Sequence, residues 1–211
     1  LRPDKYREIT RGGDISVVLR GIEAAETAGL KPIKINMVPI RGFNDDEIGE
    51  FAKITLKVPY QVRFIEFMPF GTGDMWTPEK YMSTDEIKSV VEGIGPLVPV
   101  KFKKSGPARY FRFDGTPGVI GFISPISHHF CEDCNRLRLT ADGKLRPCLF
   151  SETEIDLKPA LRSGAPDEEI ERLIKLSTEL KPEGHNIRIQ NELKNLIKRK
   201  DKRRQMSRIG G

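Results

Sequence analysis

The feature that most constrains the fold is an alternation of helical and strand patterns along residues 1–70. Apolar residues recur at helical spacing at Ile15, Val18, Leu19, Ile22 and Ala25. Gly29 is placed to end that helix, the strand PIKINMVPI follows, and Asn44 is the expected N-cap of the next helix. The strand YQVRFIEFMPF comes next. Helix and strand repeating every thirty residues or so predict βα units and a parallel sheet.

The chain enters this pattern on a helix, with no strand before it. Two strands are too few for a stable parallel sheet, which needs several strands and cover on both faces. We therefore expect the sequence to start inside a domain whose N-terminal part is missing. The alternative is a small α/β domain of two units.

The sequence changes character after Gly95. Before it, the capping box STDE at Ser83 to Glu86 predicts the start of a helix that runs to Val91. After it, short apolar segments broken by Gly and Pro predict antiparallel strands, so a domain boundary is expected near residue 95. The segments RLRLT and KLRPCLF predict a hairpin that turns at Asp142-Gly143, and two or three helical segments follow Phe150.

Composition excludes some classes of protein. No apolar run reaches the eighteen or so residues of a membrane span, and no apolar stretch typical of a signal peptide follows the first charges. The net charge of +6 is only a weak indication of an anionic partner. The basic block Lys194 to Arg204 contains no aromatic residues for base stacking, so a solvated helix face is favoured over nucleic-acid binding.

Two strands present polar side chains that are candidates for a site. Side chains alternate along a strand, so Lys34 and Asn36 share one face, and Glu66 and Met68 share a face of the next strand. In a βα barrel, such groups near the C-terminal ends of strands would point into the active site. The alternatives are a surface lysine on an edge strand and a methionine packed in the core.

All three cysteines lie in one segment, FCEDCNRLRLTADGKLRPCLF. Cys131 and Cys134 form a C-x2-C turn and Cys148 follows on the hairpin, which predicts a metal site. A redox C-x-x-C would not need the third thiol. Zinc completed by His128 or His129, and an iron–sulfur cluster with one open iron, both fit the spacing. Three cysteines, two of them in C-x-x-C, also fit a reducing compartment, the cytoplasm, better than a secreted disulfide scaffold.

Two arginines stand beside this cysteine pair. Arg136 and Arg138 alternate with leucines, so their guanidinium groups are expected on one face of the hairpin. Paired there, they would suit a phosphate-bearing substrate through bidentate hydrogen bonds. The alternative is charge compensation for an anionic thiolate site.

These segments together resemble the GTP 3′,8-cyclase family of molybdenum cofactor biosynthesis, which are radical S-adenosylmethionine (SAM) enzymes. The resemblance rests on the cysteine segment, KINMVPIRGFNDDEI, RFIEFMPFG and the terminal Gly-Gly, in order over nearly the whole chain. It implies an α/β fold, a truncated, incomplete βα (TIM-like) barrel in residues 1–95. An α+β iron–sulfur and GTP-binding region would follow in residues 96–211.

The resemblance also implies roles for individual residues. A C-terminal [4Fe–4S] cluster would be held by Cys131, Cys134 and Cys148. GTP would contact Lys34, Arg136, Leu137 and Arg138. SAM would contact Met68, and the catalytic tail Gly210-Gly211 would reach into the active site.

The chain departs from the family pattern because it lacks the N-terminal C-x3-C-x2-C motif. The cluster that cleaves SAM is thus expected only in a missing N-terminal part, and this portion alone is expected to be inactive. The full protein would join C3′ to C8 of GTP. A homodimer and the next enzyme, cyclic pyranopterin monophosphate synthase, are the implied partners. The alternative functions are a zinc-stabilised nucleic-acid-binding module and, from Gly-Gly alone, a ubiquitin-like modifier, which the βα pattern and the cysteines argue against.

Overall fold

A computed structural model describes residues 2–69, 75–102 and 106–184. The chain divides into two compact units. The first, here called the sheet unit, consists of Leu1–Met68 and Glu79–His128; the second, the cysteine unit, consists of Pro69–Pro78 and His129–Gly211. Gly210, Gly211 and the basic block Lys194 to Arg204 lie outside the described residues.

A five-stranded mixed sheet forms the frame of the sheet unit. Its strands are β1 (Lys34–Met37), β2 (Gln61–Ile65), β3 (Leu97–Val100), β4 (Arg109–Phe113) and β5 (Val119–Ile123). They lie in the order β1-β2-β5-β4-β3. β1 with β2 and β2 with β5 are parallel, whereas β5 with β4 and β4 with β3 are antiparallel. The predicted α/β class and its parallel pairing are confirmed.

The change of character at Gly95 does not coincide with a division of the structure. Strands β3, β4 and β5 all lie after it, yet they join β1 and β2 in one sheet. The chain divides instead after His128. The change marks where parallel βα pairing gives way to an antiparallel extension of the same sheet.

The helices of the sheet unit are α1 (Pro3–Ile9), α2 (Ile15–Thr27), α3 (Ile48–Lys57) and α4 (Thr84–Glu92), with a 3-10 turn at Asp45–Glu47. A second 3-10 turn, Pro78–Lys80, begins at the last residue of the first cysteine-unit segment. Gly29 follows α2 with φ +72°, as expected of a residue that ends a helix. At α4 the predicted capping box is present, with the Ser83 and Glu86 side chains each bonded to the other's backbone N–H. Among the described residues, none of the helices is long and apolar enough to cross a membrane.

The expected N-cap of α3 takes a different role. Asn44 precedes the 3-10 turn, makes no capping hydrogen bond through its side chain, and α3 begins only at Ile48. The Asn44 side chain instead accepts from the backbone N–H of Ile40 at 2.7 Å and donates to the carbonyl of Val38 at 3.1 Å. Asn44 therefore organises the loop before the helix, because an amide can satisfy a donor and an acceptor at once.

The core of the sheet unit lies between one sheet face and the helices α3 and α4. Alternate strand residues Val62, Phe64, Ile120 and Phe122 are buried there against Ile48, Ala52, Ile87 and Val91. Packing at the start of β5 is so close that a Cβ on Gly118 would stand 2.7 Å from the Thr55 Cα. The period-two pattern thus separates a core face from a second face that carries the polar residues of β1 and β2.

The cysteine unit contains a small antiparallel sheet and two helices. Strands β6 (Arg138–Leu139), β7 (Lys144–Arg146) and β8 (Ile155–Asp156) lie in that order, followed by α5 (Lys158–Arg162) and α6 (Asp167–Glu179). The predicted hairpin is confirmed: β6 and β7 pair, the Thr140 N–H donates to the Lys144 carbonyl at 2.8 Å, and Gly143 has φ +83°. This turn fixes Arg138 directly opposite Arg146.

Candidate functional site

The second face of the five-stranded sheet carries the polar residues predicted on β1. Lys34 and Asn36 are exposed, and Met37, on the other face, is buried. Parallel pairing sets Asn36 beside Arg63 of β2, and the Arg63 Nε donates to the Asn36 Oδ1 at 2.8 Å. Arg63 was not among the predicted site residues, although alternation with the apolar Val62 and Phe64 would have placed it on this face.

Gly121 makes room for that arginine in the neighbouring strand. It pairs with Arg63 on one side and with Tyr110 on the other. A Cβ at this position would stand 2.9 Å from the Tyr110 ring and 3.0 Å from the Arg63 Cγ. The arginine stem and the tyrosine ring therefore close over a position that only glycine leaves open.

Glu66 lies on the core face, not on the face predicted for it. In the alternation along the strand it falls on the same side as Val62 and Phe64, and it is 0% exposed. Its carboxylate accepts hydrogen bonds from Tyr81 Oη at 3.1 Å, Thr84 N at 2.8 Å, Ile126 N at 2.8 Å, Ser127 N at 3.0 Å and the Ser127 hydroxyl.

The donors to Glu66 come from two separate segments of the sheet unit. Thr84 is the first residue of α4, Tyr81 precedes it, and Ile126 and Ser127 follow β5. Burial, and then the negative charge of Glu66, raise the pKa of Tyr81 well above its usual range. Glu66 is thus a structural carboxylate rather than a group that meets a ligand. Met68, two residues further on, is half-buried.

The three cysteines lie in the cysteine unit, and each is half-buried and forms no disulfide. The C-x2-C turn is closed by the Cys134 N–H, which donates to the Cys131 carbonyl at 3.1 Å. Burial acts to raise the pKa of Cys134, but the Arg136 N–H and the Lys181 ammonium favour the thiolate, so that pKa falls below its usual value. The sequence thus places a readily ionised sulfur in this turn.

The predicted arginines interact electrostatically with the thiols. The Arg136 guanidinium lies 5.1 Å from the centroid of the Phe130 ring, within cation–π distance. Burial, and then the charge of Arg136, lower the pKa of Arg138, while the thiolates of Cys148 and Cys134 act in the opposite direction. Leu137, between the arginines, is half-buried.

The loop after β7, which carries Cys148, is held by Arg146. This arginine is buried, its Nη2 donates to the Ser151 carbonyl, and its Nη1 lies 3.3 Å from the Glu154 Oε1. Cys148 lies between the two ends of this bridge. A buried guanidinium with several fixed acceptors restrains the intervening loop.

The donor chemistry, more than the atomic arrangement, indicates a metal. Within residues 2–69, 75–102 and 106–184, no group of three or more His, Cys, Asp or Glu side chains stands close enough together to hold an ion. Three cysteines in one segment, one of them with a lowered pKa, nevertheless match the ligands that zinc and iron–sulfur clusters prefer. His128, the proposed fourth zinc ligand, is hydrogen-bonded through Nε2 to the Asp85 Oδ2 at 2.9 Å in the sheet unit.

The sequence of this chain is similar to those of a family of known proteins. The family described as Molybdenum Cofactor Synthesis C matches residues 60–187. A GTP 3′,8-cyclase of Thermodesulfovibrio yellowstonii is 56% identical over 87% of this chain, and one of Alkaliphilus metalliredigens is 47% identical over its whole length. A third, of Moorella thermoacetica, is 49% identical over 89% of the chain. The matched regions span 57%, 62% and 58% of these relatives, respectively.

Proposed function

The chain belongs to the Molybdenum Cofactor Synthesis C family, and from this premise we propose that it carries the C-terminal cluster and GTP-binding residues of a GTP 3′,8-cyclase. The observation that carries the proposal is that the C-x2-C turn, closed by the Cys134 N–H to the Cys131 carbonyl, leads directly through Arg136 into the hairpin strand that carries Arg138. Thiolates suit a metal and paired guanidinium groups suit a triphosphate, so the two ligand types are combined at one place.

In this proposal Cys131, Cys134 and Cys148 hold a [4Fe–4S] cluster. A cluster with only three protein ligands supplies one open iron, which acts as a Lewis acid toward a substrate atom. The Arg136–Arg138 segment binds the phosphates of GTP and neutralises their charge. The half-burial of Arg138 strengthens its interaction with an anion, because fewer water molecules compete for the guanidinium.

The sheet unit supplies further proposed contacts. Lys34 is exposed on the polar sheet face, where its ammonium is available to GTP. Met68 follows β2 and is proposed to contact SAM. Residues 1–95 are proposed to belong to an incomplete TIM-like barrel, whose sheet β3, β4 and β5 extend, and the iron–sulfur region is proposed to lie within residues 96–211. Gly210 and Gly211 would be the catalytic tail of the complete enzyme.

The reaction and the partners of the whole enzyme are also part of the proposal. Radical SAM cyclisation of GTP to 3′,8-cyclo-7,8-dihydroguanosine triphosphate requires a second [4Fe–4S] cluster, which is assigned to an N-terminal part outside this chain. The product passes to cyclic pyranopterin monophosphate synthase, and the enzyme is proposed to be a cytoplasmic homodimer. Cysteines that form no disulfide are consistent with a reducing compartment.

Metal content is the first test. Anaerobic reconstitution with iron and sulfide is expected to load about four irons per chain and to give broad absorbance near ~400 nm from thiolate-bound iron. A variant with serine at positions 131, 134 and 148 should load none and serves as the control. Stoichiometric zinc without iron, with loss of zinc when His128 or His129 is replaced, would support the zinc-binding module instead.

GTP affinity tests the arginines. Arg136→Ala and Arg138→Ala are each expected to weaken GTP binding by about 1–3 kcal/mol, the usual value of a hydrogen bond to a charged group. Isothermal titration of the reconstituted protein measures the change. Arg172→Ala is the matched control, because Arg172 is an exposed arginine of the same unit paired with Glu169. If both substitutions leave affinity at the control level, the arginines only compensate thiolate charge.

A further inference from the structure

A lysine after the last described helix contacts the cysteine turn through its ammonium group. Lys181 lies two residues beyond the end of α6. Its Nζ donates to the carbonyl of Cys134 and, at 3.1 Å, to the carbonyl of Arg136. Both acceptors are main-chain groups, and they belong to the residues on either side of Asn135. One cation thus bridges the peptide segment that joins a cysteine of the C-x2-C pair to the first arginine.

This contact differs from what a lysine at a helix end usually makes. Such a side chain commonly meets the last carbonyls of its own helix or a carboxylate one turn away. Lys175, on the same helix, shows the ordinary case, with its Nζ 2.6 Å from the Glu171 Oε1 on the exposed surface. Lys181 instead reaches a segment forty-five to forty-seven positions earlier in the chain.

The orientation of the bridged peptides has a consequence for the cysteine. Because the carbonyls of Cys134 and Arg136 point toward the ammonium, the turn cannot rotate freely about Asn135. Hydrogen bonds with a charged donor are roughly twice as strong as neutral ones, so they restrain a short loop effectively. The side chains of Cys134 and Arg136, which the proposed cluster and nucleotide both require, are set by this same backbone.

We propose that Lys181 is a positioning residue, which fixes the Cys134–Arg136 backbone so that the thiol and the guanidinium are held ready for their ligands. This inference rests on the proposed role of the cysteines in binding metal. It adds Lys181, which follows α6, to the residues on which metal binding by the cysteines depends. Outer contacts that orient metal ligands commonly change metal affinity by about 10–100-fold when removed.

The test compares Lys181→Met with Lys175→Met in the full 211-residue chain. Each change removes one ammonium while keeping a flexible apolar stem, so the net charge is matched. Anaerobic titration with Co²⁺ alone reports binding through the thiolate-to-cobalt absorbance. Lys181→Met is expected to raise the dissociation constant for cobalt about tenfold or more and to alter that absorbance band, whereas Lys175→Met should match the unmodified protein.

A conservative variant separates positioning from general destabilisation. Lys181→Arg keeps a cation that can donate to both carbonyls and is expected to restore much of the affinity and the band. If Lys181→Met folds poorly, Lys181→Gln carries the same comparison. Wild-type affinity in the folded Met or Gln variant would overturn the inference while leaving the metal site standing. Absence of thiolate–cobalt absorbance in the unmodified protein would instead contradict the metal site on which the inference depends.

Discussion

Replacing Glu66 with alanine is expected to lower the free energy of unfolding by about 4 kcal/mol, through the loss of the acceptor for several buried donors. The carboxylate is fully buried, and it accepts hydrogen bonds from the backbone N–H groups of Thr84, Ile126 and Ser127. Removing it leaves these buried donors without their acceptor, at a cost of about 1–3 kcal/mol for each group that finds no replacement. Urea denaturation, followed by circular dichroism, measures the loss.

Two further variants sharpen this experiment. Glu66→Gln keeps the shape but turns one acceptor into a donor that faces other donors, so an intermediate loss is expected. Glu92→Ala is the matched control, because Glu92 is an exposed carboxylate of the same unit paired with Lys88, and such pairs contribute about 0.3–0.5 kcal/mol. A loss in Glu66→Ala no greater than that of the control would show that water replaces the carboxylate easily.

The importance of Glu66 lies in what it joins. Its acceptor atoms tie the end of β2 to the start of α4 and to the turn after β5, so one side chain holds three segments of the sheet unit. Thr84 extends this network, since its hydroxyl lies 2.6 Å from the Ser124 hydroxyl. Met68, proposed to contact SAM, follows Glu66 by two residues. The same substitution would therefore disturb the backbone that carries Met68.

Local signals in the sequence predicted the secondary structure well. The capping box at Ser83 and Glu86, the terminating Gly29 and the Asp-Gly turn of the hairpin each depend on contacts within a few residues. A sequence can display such contacts because both partners stand close together in it. The α/β class followed from the same kind of local pattern, repeated twice.

Contacts between distant segments were harder to predict. The pairing of β5 with β2 joins residues about sixty apart and leaves no local mark in the sequence. Glu66 was placed on the wrong face because a carboxylate is expected to avoid an apolar core unless hydrogen-bond donors are present there. Those donors belong to distant segments, so the local sequence does not reveal them. The positions of Asn36 beside Arg63 and of Lys181 beside Cys134 likewise depend on tertiary structure.

The candidate site shows the same division between local and distant information. Spacing singled out Cys131, Cys134 and Cys148, and alternation singled out Arg136 and Arg138, without reference to any partner. Neither pattern could choose between zinc and iron–sulfur, since both metals accept thiolates from the same turn. The cluster is therefore a proposal made from family membership, and the hydrogen bond between His128 and Asp85 gives zinc no added support.

Replacing Arg146 with methionine is expected to lower the free energy of unfolding of the cysteine unit by about 3 kcal/mol, a value typical of a broken buried ion pair. Arg146 is 5% exposed, and its guanidinium connects β7 to Ser151 and Glu154. Methionine fills part of the volume but leaves the Ser151 carbonyl and the Glu154 carboxylate without this donor. Lys144, 3.6 Å from Glu154, compensates only in part.

The same substitution is expected to free the loop that carries Cys148, because that loop lies between the two ends of the guanidinium bridge. In a background with serine at positions 131 and 134, Cys148 is the only thiol, so its alkylation rate reports the loop directly. Arg146→Met should raise this rate severalfold under native conditions, since local opening becomes more frequent as restraints are lost. Arg162→Met, on an exposed position of α5, is the control. A lower stability with an unchanged alkylation rate would show that Arg146 supports the hairpin alone, and the restraint on Cys148 would then have to come from the backbone around it.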